Sequence, residues 1–288
     1  MEGASLDQPT REQVARLQQQ LQQLDGRLGV AYSGGVDSAT LTALAVDALG
    51  SGRVVAVMGV SASLAASERE LARATARQIG VELVEVETHE QDNPAYAANG
   101  ADRCFHCKDE LFTRIDDELV ARLGLVAVAY GENADDALRP DRPGSRAATD
   151  HRVLRPLADV GLTKHQVRAV ARAFGLQVAD KPAAPCLASR IPHGEPVTPE
   201  KLRQVDQAET ALRAAGFSDG RVRHHGSIAR LELPVEEFCL LTDPERRRAL
   251  LAEVRAAGFA HVTVDLAGIQ SGAFTLQVLN RRPEGEGA

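Results

Sequence analysis

The fold is decided by the stretch Leu28-Gly29-Val30-Ala31-Tyr32-Ser33-Gly34-Gly35-Val36-Asp37-Ser38, in which an apolar run leads through a polar turn into a helical pattern. The apolar run predicts a buried strand, and the pattern from Asp37 to Leu49 predicts a helix. Glycines let the backbone turn tightly and approach a ligand, and the start of a helix presents unpaired N–H groups at the positive end of its dipole. The turn is therefore predicted to bind an anion, with the Ser33 and Ser38 hydroxyls as further donors.

This turn differs from two common phosphate-binding loops. No lysine follows it at the spacing of the G-x-x-x-x-G-K-[ST] loop, and its glycines lack the spacing of the dinucleotide fingerprint. The competing interpretation is an ordinary strand-to-helix turn in which Asp37 caps the helix. The intact six-residue turn between a strand and a helix favours anion binding over that interpretation.

Apolar runs and helical patterns alternate through the first half of the chain. Further strands are predicted at residues 54–58, 81–86 and 125–130, and helices at 5–23, 67–79 and 108–123. Strands separated by helices imply right-handed crossovers and a parallel sheet that is covered on both faces. The fold class predicted for this half is α/β, a doubly wound parallel sheet.

A segment that contains proline and glycine, residues 181–199, marks a boundary. Beyond it, helices are predicted at residues 200–215 and 245–257, and short strands at 221–224, 228–233 and 261–266. These elements predict a smaller α+β unit. We therefore expect two domains, residues 1–190 and 191–288.

Composition excludes several classes of protein. The 288 residues are 44% hydrophobic and 25% charged, with a formal net charge of −7 and 3% aromatic residues. The acidic balance and the few aromatic rings argue against a nucleic-acid-binding surface. No apolar run approaches the ~18 residues of a membrane span, and no secretory signal is visible at the N-terminus. Four cysteines are too few for a disulfide scaffold, so we expect a cytoplasmic protein without membrane contact.

Three of the cysteines lie in contexts that suggest chemistry. Cys104 and Cys107 form a C-x-x-C pair, which is typical of a redox pair, half a zinc site or two iron–sulfur ligands. Cys186 lies near Arg190, and neighbouring cations raise the thiolate fraction of a cysteine. Cys186 is therefore a candidate nucleophile, the alternative being a buried cysteine in a proline-rich connector. Cys239 lies in an apolar stretch and is expected to be a packed small hydrophobe.

Charged side chains suggest where an anionic ligand and a metal ion would bind. Arg221-Val222-Arg223 places two guanidinium groups on one face of a predicted strand, and guanidinium groups bind oxyanions in bidentate fashion. The alternative is a solvated edge strand. The acidic loop at residues 132–136 is a candidate Mg²⁺ site, or a cap for the helix that follows. Further candidates for substrate contact, with a solvated surface as the alternative, are Arg139, Arg142 and Arg146.

Five stretches occur in the order seen in one enzyme family. They are residues 33–38, 99–108, 131–136 with 142–144, 181–191, and 221–226 with 229–232. The first resembles the signature of the PP-loop ATP pyrophosphatases, which cleave ATP between the α and β phosphates. Together the five make the chain similar to LarE-type ATP-dependent sulfur transferases, which help to build the nickel-pincer nucleotide cofactor of lactate racemase. The resemblance extends from about residue 10 to about residue 275.

The resemblance implies roles for individual residues. The residues that it assigns to ATP are Ser33, Gly34, Gly35, Val36, Asp37, Ser38 and Ser61, with Asp37 also placing Mg²⁺. Because the substrate of the family carries a phosphate and two carboxylates, cations should surround it, and the residues expected there are Ser189, Arg190, Arg221 and Arg223. Glu232 resembles a metal ligand of the family. The thiolate of Cys186 would displace AMP from an adenylated carboxylate.

The resemblance leaves the source of sulfur open. In one version Cys186 gives up its own sulfur and becomes dehydroalanine. In the other, Cys104, Cys107 and Cys186 hold a [4Fe–4S] cluster that carries an extra sulfide. Family likeness also implies a ring-like homo-oligomer and contacts with other cofactor-maturation proteins.

Two other functions remain as alternatives. One is a tRNA thiolase or an amidating synthetase of the same superfamily, against which the charge and the absence of a visible glutaminase segment argue. The other is a nucleotide-binding or iron–sulfur protein without catalysis, which pyrophosphate release on mixing with ATP would exclude.

Overall fold

The computed structural model describes residues 6–138 and 143–270, and these residues form two compact units. Unit 1 comprises residues 6–61, 66–90 and 102–184, and unit 2 comprises residues 62–65, 91–101 and those from 185 onward. Two short segments of unit 2 therefore come from the first part of the chain. The candidate residues Arg139 and Arg142 lie outside the described residues.

The first part of the chain alternates strands and helices, as its periodicity predicts. In chain order the elements are α1 (Gln8–Gln22), β1 (Arg27–Ala31), α2 (Val36–Leu49), β2 (Val54–Val60), α3 (Ala66–Ile79), β3 (Glu82–Glu87), α4 (Pro94–Ala97), α5 (Arg103–Arg114), α6 (Val120–Leu123) and β4 (Leu125–Tyr130). A π-helical turn, Ile115–Leu119, joins α5 to α6. One boundary is corrected: the helix expected from residue 108 begins already at Arg103, directly before the C-x-x-C pair.

The sheet of unit 1 confirms the predicted fold class. Among the described residues its strands are parallel and lie in the order β3-β2-β1-β4. Leu28 and Val30 of β1 are fully buried, as expected of a strand with neighbours on both sides and helices on both faces. Because β2 lies on one side of β1 and β4 on the other, the strand order reverses between β1 and β4. Ligands of such sheets bind at the carboxyl ends of the strands beside this reversal.

The sequence patterns considered above predict none of the helices between β4 and the boundary segment at residues 181–199. In the described residues these are α7 (Ala134–Ala137), α8 (Pro143–Asp150), α9 (Pro156–Asp159) and α10 (Lys164–Ala173). A signal for α10 was available, because Thr163 and Gln166 form a capping box, with each side chain bonded to the other residue's backbone. Val167 and Val170 then bury the inner face of α10.

Unit 2 contains the smaller α+β arrangement that was expected. Its remaining elements are α11 (Pro199–Ala214), β5 (Arg221–His225), β6 (Ile228–Glu232), α12 (Pro244–Ala256) and β7 (His261–Val264). β5 pairs antiparallel with β6, and β6 pairs parallel with β7. Leu212, Val222 and Val254 belong to the core that joins α11 and α12 to this sheet. No helix in the described ranges combines the length and the apolar character needed to cross a bilayer.

The prediction for Cys239 is wrong, because its side chain is exposed. Cys239 lies in a 3₁₀-helical segment, Val235–Thr242, that follows β6. Phe238, Leu240 and Leu241 of this segment pack against the core of unit 2. The tight turn of a 3₁₀ helix cannot direct all of four consecutive side chains inward, and Cys239 is the one directed outward.

His151 links α8 to α5 and to the π-helical turn. Its Nδ1 lies 2.9 Å from a carboxylate oxygen of Asp116, and its Nε2 lies 3.0 Å from one of Asp109. Both nitrogens face acceptors, so both bonds form only when the ring is doubly protonated. Burial by itself lowers the pKa of His151, but the hydrogen bonds to Asp116 and Asp109 outweigh it, so the pKa lies above its ordinary value.

This pair of bonds predicts a pH dependence of stability. Because the pKa of His151 is raised in the folded chain, its stabilisation is complete below the ordinary histidine pKa of about 6.5 and is lost as the pH rises through the folded-state value. We expect His151→Asn to lower the free energy of unfolding by about 1 kcal/mol at acidic pH and by less at alkaline pH. Urea titrations over a pH series measure this difference. The matched control is the exposed His261→Asn, and a His151→Asn deficit that grew with pH would contradict the assignment.

Candidate functional site

The turn between β1 and α2 has the geometry of an anion-binding loop. Gly34 has φ +71°, and an added Cβ there would lie 2.4 Å from the Cβ of Ala72, so only glycine fits. Gly35 is the N-cap of α2, which rules out the alternative in which Asp37 caps the helix. The first bond of the helix runs from the Ala39 N–H to the Gly35 carbonyl, at 2.9 Å. The N–H groups of residues 36–38 therefore precede the helical ladder and are available to a ligand.

Hydroxyl groups brace the same turn. The Ser33 N–H donates to Ser38 Oγ at 3.2 Å, and Ser38 Oγ donates to the Gly35 carbonyl at 3.1 Å. The two serine hydroxyls lie 3.2 Å apart. The hydroxyls of Ser33 and Ser38, which were predicted to donate to a ligand, therefore take part in hydrogen bonds within the turn. The two serines lie at its two ends.

Asp37 is held between two side chains that the sequence analysis did not connect with it. Lys164 Nζ lies 2.5 Å from Asp37 Oδ2, and Asn133 Nδ2 donates to Asp37 Oδ1 at 3.2 Å. The backbone N–H of Lys164 donates to Asp135 at 2.7 Å, which fixes the start of α10 against the loop after β4. A lysine from α10 therefore reaches the turn that has no lysine of its own.

The end of β4 lies against the start of α2. A Cβ added to Gly131 would lie 2.7 Å from the carbonyl carbon of Asp37 and 2.7 Å from the nitrogen of Ser38. Real Cβ contacts are essentially never this short, so only glycine lets these two backbones pack. The contact is located at the reversal of strand order, where the fold places ligands.

The acidic loop after β4 is engaged with protein groups. Glu132 is 2% exposed, accepts a hydrogen bond from Ser145 on α8, and lies 3.7 Å from Arg155. Asn133, not an acidic residue, caps α7, and it also donates to Asp136 at 2.9 Å. Of the predicted Mg²⁺ ligands in unit 1, Asp37 is the one that faces the anion-binding turn. Mg²⁺ is commonly held by one or two carboxylates together with phosphate oxygens, and Asp37 can supply one such carboxylate if Lys164 moves from its Oδ2 to a phosphate.

Ser61 follows β2 directly, at the same edge of the sheet as the turn. Its hydroxyl donates to a carboxylate oxygen of Glu90 at 2.5 Å, and Glu90 is almost fully buried. The position of Ser61 fits the expected contact with adenine, because ligands bind outside the carboxyl ends of parallel strands. Its role as an ATP ligand stays a prediction.

In unit 2, the side chain of Cys186 is exposed at the start of a 3₁₀ turn, Leu187–Arg190. Its backbone carbonyl accepts three hydrogen bonds: from the N–H of Ser189 at 2.9 Å, from Ser189 Oγ at 2.7 Å, and from Arg190 Nη1 at 3.3 Å. The alternative of a buried cysteine is therefore wrong. The thiol is accessible, while the backbone that bears it is fixed.

Arg190 is held by a buried carboxylate. Its Nε and Nη2 donate to the two oxygens of Glu209 at 2.8 and 3.2 Å, and both side chains are almost fully buried. Its Nη1 also donates to the Pro185 carbonyl at 2.6 Å. Glu209 itself accepts the backbone N–H of Val222 at 3.0 Å. α11 thus supplies the residue that orients Arg190, and no sequence motif pointed to it.

Both arginines of β5 are buried, so the alternative of a solvated edge strand is wrong. Arg223 donates to the Ser189 carbonyl at 3.0 Å and to Glu232 at 2.8 Å. Burial lowers the pKa of Arg221, and the nearby positive charge of Arg190 lowers it further. An anion bound beside Arg221 and Arg190 would relieve this repulsion, which supports the predicted substrate contact.

Glu232 is fully buried between positive charges. Arg223 contacts one of its oxygens, and Arg230 lies 3.5 Å from the other. These two guanidinium groups occupy the positions from which a cation would approach. The donor set therefore fits an ion-pair network better than a metal site.

The segment after the Cys186 turn is fixed by Asn99, which is fully buried and has φ +59°. Its Nδ2 contacts the carbonyls of Ile191, Pro192 and Glu195 at 3.3, 2.8 and 3.0 Å. Asparagine tolerates this left-handed conformation better than most residues. Asn99 therefore anchors the exit of the turn.

Cys104 and Cys107 lie in the first turns of α5, within unit 1, whereas Cys186 belongs to unit 2. Cys104 is exposed and Cys107 is half-buried. The spacing of three residues places both sulfurs on one side of the helix. In the described ranges, no group of three or more His, Cys, Asp or Glu side chains is arranged to hold a metal ion.

Comparisons with known proteins identify the family of the chain. A family model described as NAD synthase matches residues 10–133, which include β1, the anion-binding turn and Asn133. Pyridinium-3,5-bisthiocarboxylic acid mononucleotide synthase of Lactiplantibacillus plantarum is 32% identical over 249 residues, which is 85% of this chain and 88% of the relative. The chain belongs to the LarE-type family of PP-loop sulfur transferases.

Two further relatives have no stated function. An uncharacterized protein of Synechocystis sp. is 42% identical over 90% of this chain and 95% of its own length. An uncharacterized protein of Methanocaldococcus jannaschii is 23% identical over 82% of this chain and 88% of its own length. As a member of the LarE-type family, the chain is an ATP-dependent enzyme that transfers sulfur, and its turn at residues 33–38 is the stretch that resembles the PP-loop signature.

The close approach of Gly131 to α2 yields a test of the PP-loop geometry. In Gly131→Ala the new methyl group would displace the backbone of Asp37 and Ser38, and we expect AMP formation to fall by about a hundredfold. The matched control is Gly52→Ala, since an added Cβ there meets no described atom within 4 Å. Steady-state AMP release, with thermal unfolding as a check on folding, measures both. Equal rates for the two variants would contradict the proposed packing constraint.

The ion pair between Lys164 and Asp37 yields a second test. We expect Lys164→Gln to lower kcat/KM for ATP by about a hundredfold, because the leaving pyrophosphate would lose a cation. Lys164→Arg should recover part of the loss. The control is Lys201→Gln, whose ammonium group contacts Glu195 in unit 2. Unchanged ATP kinetics in Lys164→Gln would remove Lys164 from the ATP site.

Proposed function

We propose that the chain adenylates a carboxylate of a pyridinium dicarboxylate mononucleotide and converts it to a thiocarboxylate, using the sulfur of Cys186. The observation that supports this most strongly is the exposed thiol on a rigid turn whose neighbours are the buried guanidinium groups of Arg190 and Arg223. The L. plantarum relative is named for the bisthiocarboxylic product of such a reaction. The nickel-pincer cofactor of lactate racemase is the proposed destination.

The first step is attack by a substrate carboxylate oxygen on the α phosphorus of ATP. Pyrophosphate leaves, and negative charge develops on its bridging oxygen. The N–H groups of residues 36–38 and the ammonium group of Lys164 stabilise this charge electrostatically. Asp37 would hold Mg²⁺, which supplies further charge neutralisation at the phosphates.

The second step is attack by the Cys186 thiolate on the acyl carbon of the adenylate. AMP leaves with the electron pair of the C–O bond, and a thioester to Cys186 forms. The anionic substrate is held by Arg221 and Arg223, whose burial strengthens their interaction with oxyanions.

The third step releases the product. A base removes the Cα proton of Cys186, the electron pair forms the Cα=Cβ double bond, and the Cβ–S bond breaks. Sulfur departs with its bonding electrons as the thiocarboxylate, and residue 186 becomes dehydroalanine. The balance is one cysteine, one ATP and one carboxylate in, and one dehydroalanine, one AMP, one pyrophosphate and one thiocarboxylate out.

The alternative sulfur source is a [4Fe–4S] cluster held by Cys104, Cys107 and Cys186. Such a cluster would supply sulfide and leave Cys186 intact. Anaerobic iron and sulfide analysis, combined with the intact mass after one turnover, distinguishes the two sources. Dehydroalanine at residue 186 without iron supports sacrifice, and bound iron with an unchanged Cys186 supports the cluster.

A cysteine substitution tests the proposed sacrifice. Cys186→Ala should still form AMP and pyrophosphate from ATP and the pyridinium dicarboxylate mononucleotide, since the thiol acts only after adenylation, but it should form no detectable thiocarboxylate. Cys239→Ala is the matched control, because Cys239 is also exposed in unit 2. Chromatography with mass detection of the sulfur-containing product decides the outcome. Thiocarboxylate formation by Cys186→Ala would overturn the proposal.

A further inference from the structure

The three hydrogen bonds to the Cys186 carbonyl have a consequence for the step that breaks the Cβ–S bond. Removal of a Cα proton places negative charge on the carbonyl oxygen of the same residue, because the resulting carbanion is delocalised as an enolate. Any donor at that oxygen stabilises the charge as it forms. In this chain Ser189 N, Ser189 Oγ and Arg190 Nη1 all contact it.

The two contacts from Ser189 are common in a tight turn, and the contact from Arg190 is not. A backbone N–H and a serine hydroxyl three residues on often bond a carbonyl at the start of a 3₁₀ turn. A buried guanidinium group adds a charged donor at the same oxygen, with Nη1 at 3.3 Å from the Cys186 carbonyl and 2.6 Å from the Pro185 carbonyl. Arg190 is 6% exposed, and Glu209 fixes its orientation through two hydrogen bonds.

We propose that Ser189 and Arg190 form an oxyanion hole for the enolate of Cys186 and so catalyse elimination of the sulfur. The inference rests on the proposed sacrificial function and adds to it. Both residues contact a reacting atom, the carbonyl oxygen, and so act as catalytic groups. This role differs from the substrate-binding role that the sequence indicated for them.

The step requires a base as acceptor of the Cα proton, and it requires no oxidant or reductant. A base takes the Cα proton, the enolate forms against the three donors, and the electron pair then moves from the oxygen back to Cα to form the Cα=Cβ bond. The thiocarboxylate leaves from Cβ with its electron pair. The donors are hydrogen-bonded before the reaction, so little reorganisation is required when the charge develops.

The neighbouring contacts keep this arrangement in place. Arg223 binds the Ser189 carbonyl at 3.0 Å, and the Leu187 N–H donates to the Ser63 carbonyl at 2.9 Å. Arg190 Nη1 also donates to Ser189 Oγ at 2.9 Å, which polarises the hydroxyl that donates to the Cys186 carbonyl. The turn is therefore built around the carbonyl oxygen of Cys186 as well as around its thiol.

A single-turnover experiment tests the proposal in the proposed reaction. The protein is mixed with ATP and the pyridinium dicarboxylate mononucleotide, and the reaction is quenched at intervals. Mass spectrometry of the intact protein then quantifies the thioester and the dehydroalanine at residue 186 separately. We expect Ser189→Ala to slow conversion of thioester to dehydroalanine by about tenfold and Arg190→Gln by about a hundredfold, so that thioester accumulates. Arg190→Lys keeps the charge and should recover part of the rate. Ser218→Ala, an exposed serine of unit 2, is the control and should match the wild type.

A second experiment uses no substrate, so its failure is separate from failure of the proposed function. A dibromide that alkylates a thiol twice converts cysteine to a cyclic sulfonium, which then eliminates to dehydroalanine through the same Cα deprotonation. Peptide mapping follows Cys186 and the exposed Cys239 in one sample. We expect the Cys186 sulfonium to eliminate at least about tenfold faster than that of Cys239 in the wild type, and this advantage to shrink in Ser189→Ala, which keeps the Arg190 contact.

The outcomes separate the two claims. Equal elimination at Cys186 and Cys239 in the wild type, or dehydroalanine formation at the wild-type rate in both variants, overturns the oxyanion hole. A wild-type protein that forms neither thioester nor dehydroalanine with substrate, yet shows fast sulfonium elimination at Cys186, overturns the sacrificial function and leaves the oxyanion hole supported. Should Arg190→Gln fail to fold, Ser189→Ala and Arg190→Lys decide the result.

Discussion

The ion pair between Lys164 and Asp37 joins parts of the chain that are 127 residues apart and brings a side-chain cation to the turn at residues 33–38. The turn itself supplies N–H groups and a helix dipole but no side-chain cation, so its charge balance depends on α10. The capping box at Thr163 and the bond from the Lys164 N–H to Asp135 fix where α10 begins. The glycine at residue 131 then allows β4 to end against α2, which brings Asn133 to Asp37.

In unit 2, the buried ion pair of Arg190 and Glu209 likewise fixes a charged side chain beside the candidate site residue Cys186. Burying two charges costs desolvation energy that the pair recovers only with good geometry and additional hydrogen bonds. Here Arg190 donates additional hydrogen bonds to the carbonyls of Pro185 and Cys186 and to the hydroxyl of Ser189. Glu209 accepts a hydrogen bond from the N–H of Val222. A hydrophobic pair of equal volume could fill the same space, but it could not place a positive charge at the Cys186 carbonyl. The ion pair is therefore better explained by chemistry at Cys186 than by stability.

The sequence predicted the parts of the molecule that depend on local pattern. The strand at residues 28–32, the glycine turn and the helix after it follow from periodicity and glycine placement, and the parallel sheet follows from their alternation. Lys164 and Glu209 could not be predicted, because each acts through a contact made only in the folded chain. The exposure of Cys239 was also missed, since an apolar stretch does not reveal which of its residues a 3₁₀ turn directs outward.

The central claim is that the turn at residues 33–38 holds ATP so that AMP becomes the leaving group for the Cys186 thiolate. Exchange of labelled pyrophosphate into ATP tests it most directly, because exchange requires reversible adenylation and no later step. The account predicts exchange that depends on the pyridinium mononucleotide acid and persists in Cys186→Ala. Formation of ADP and phosphate in place of AMP and pyrophosphate, or no exchange with any carboxylate nucleotide, would contradict the account.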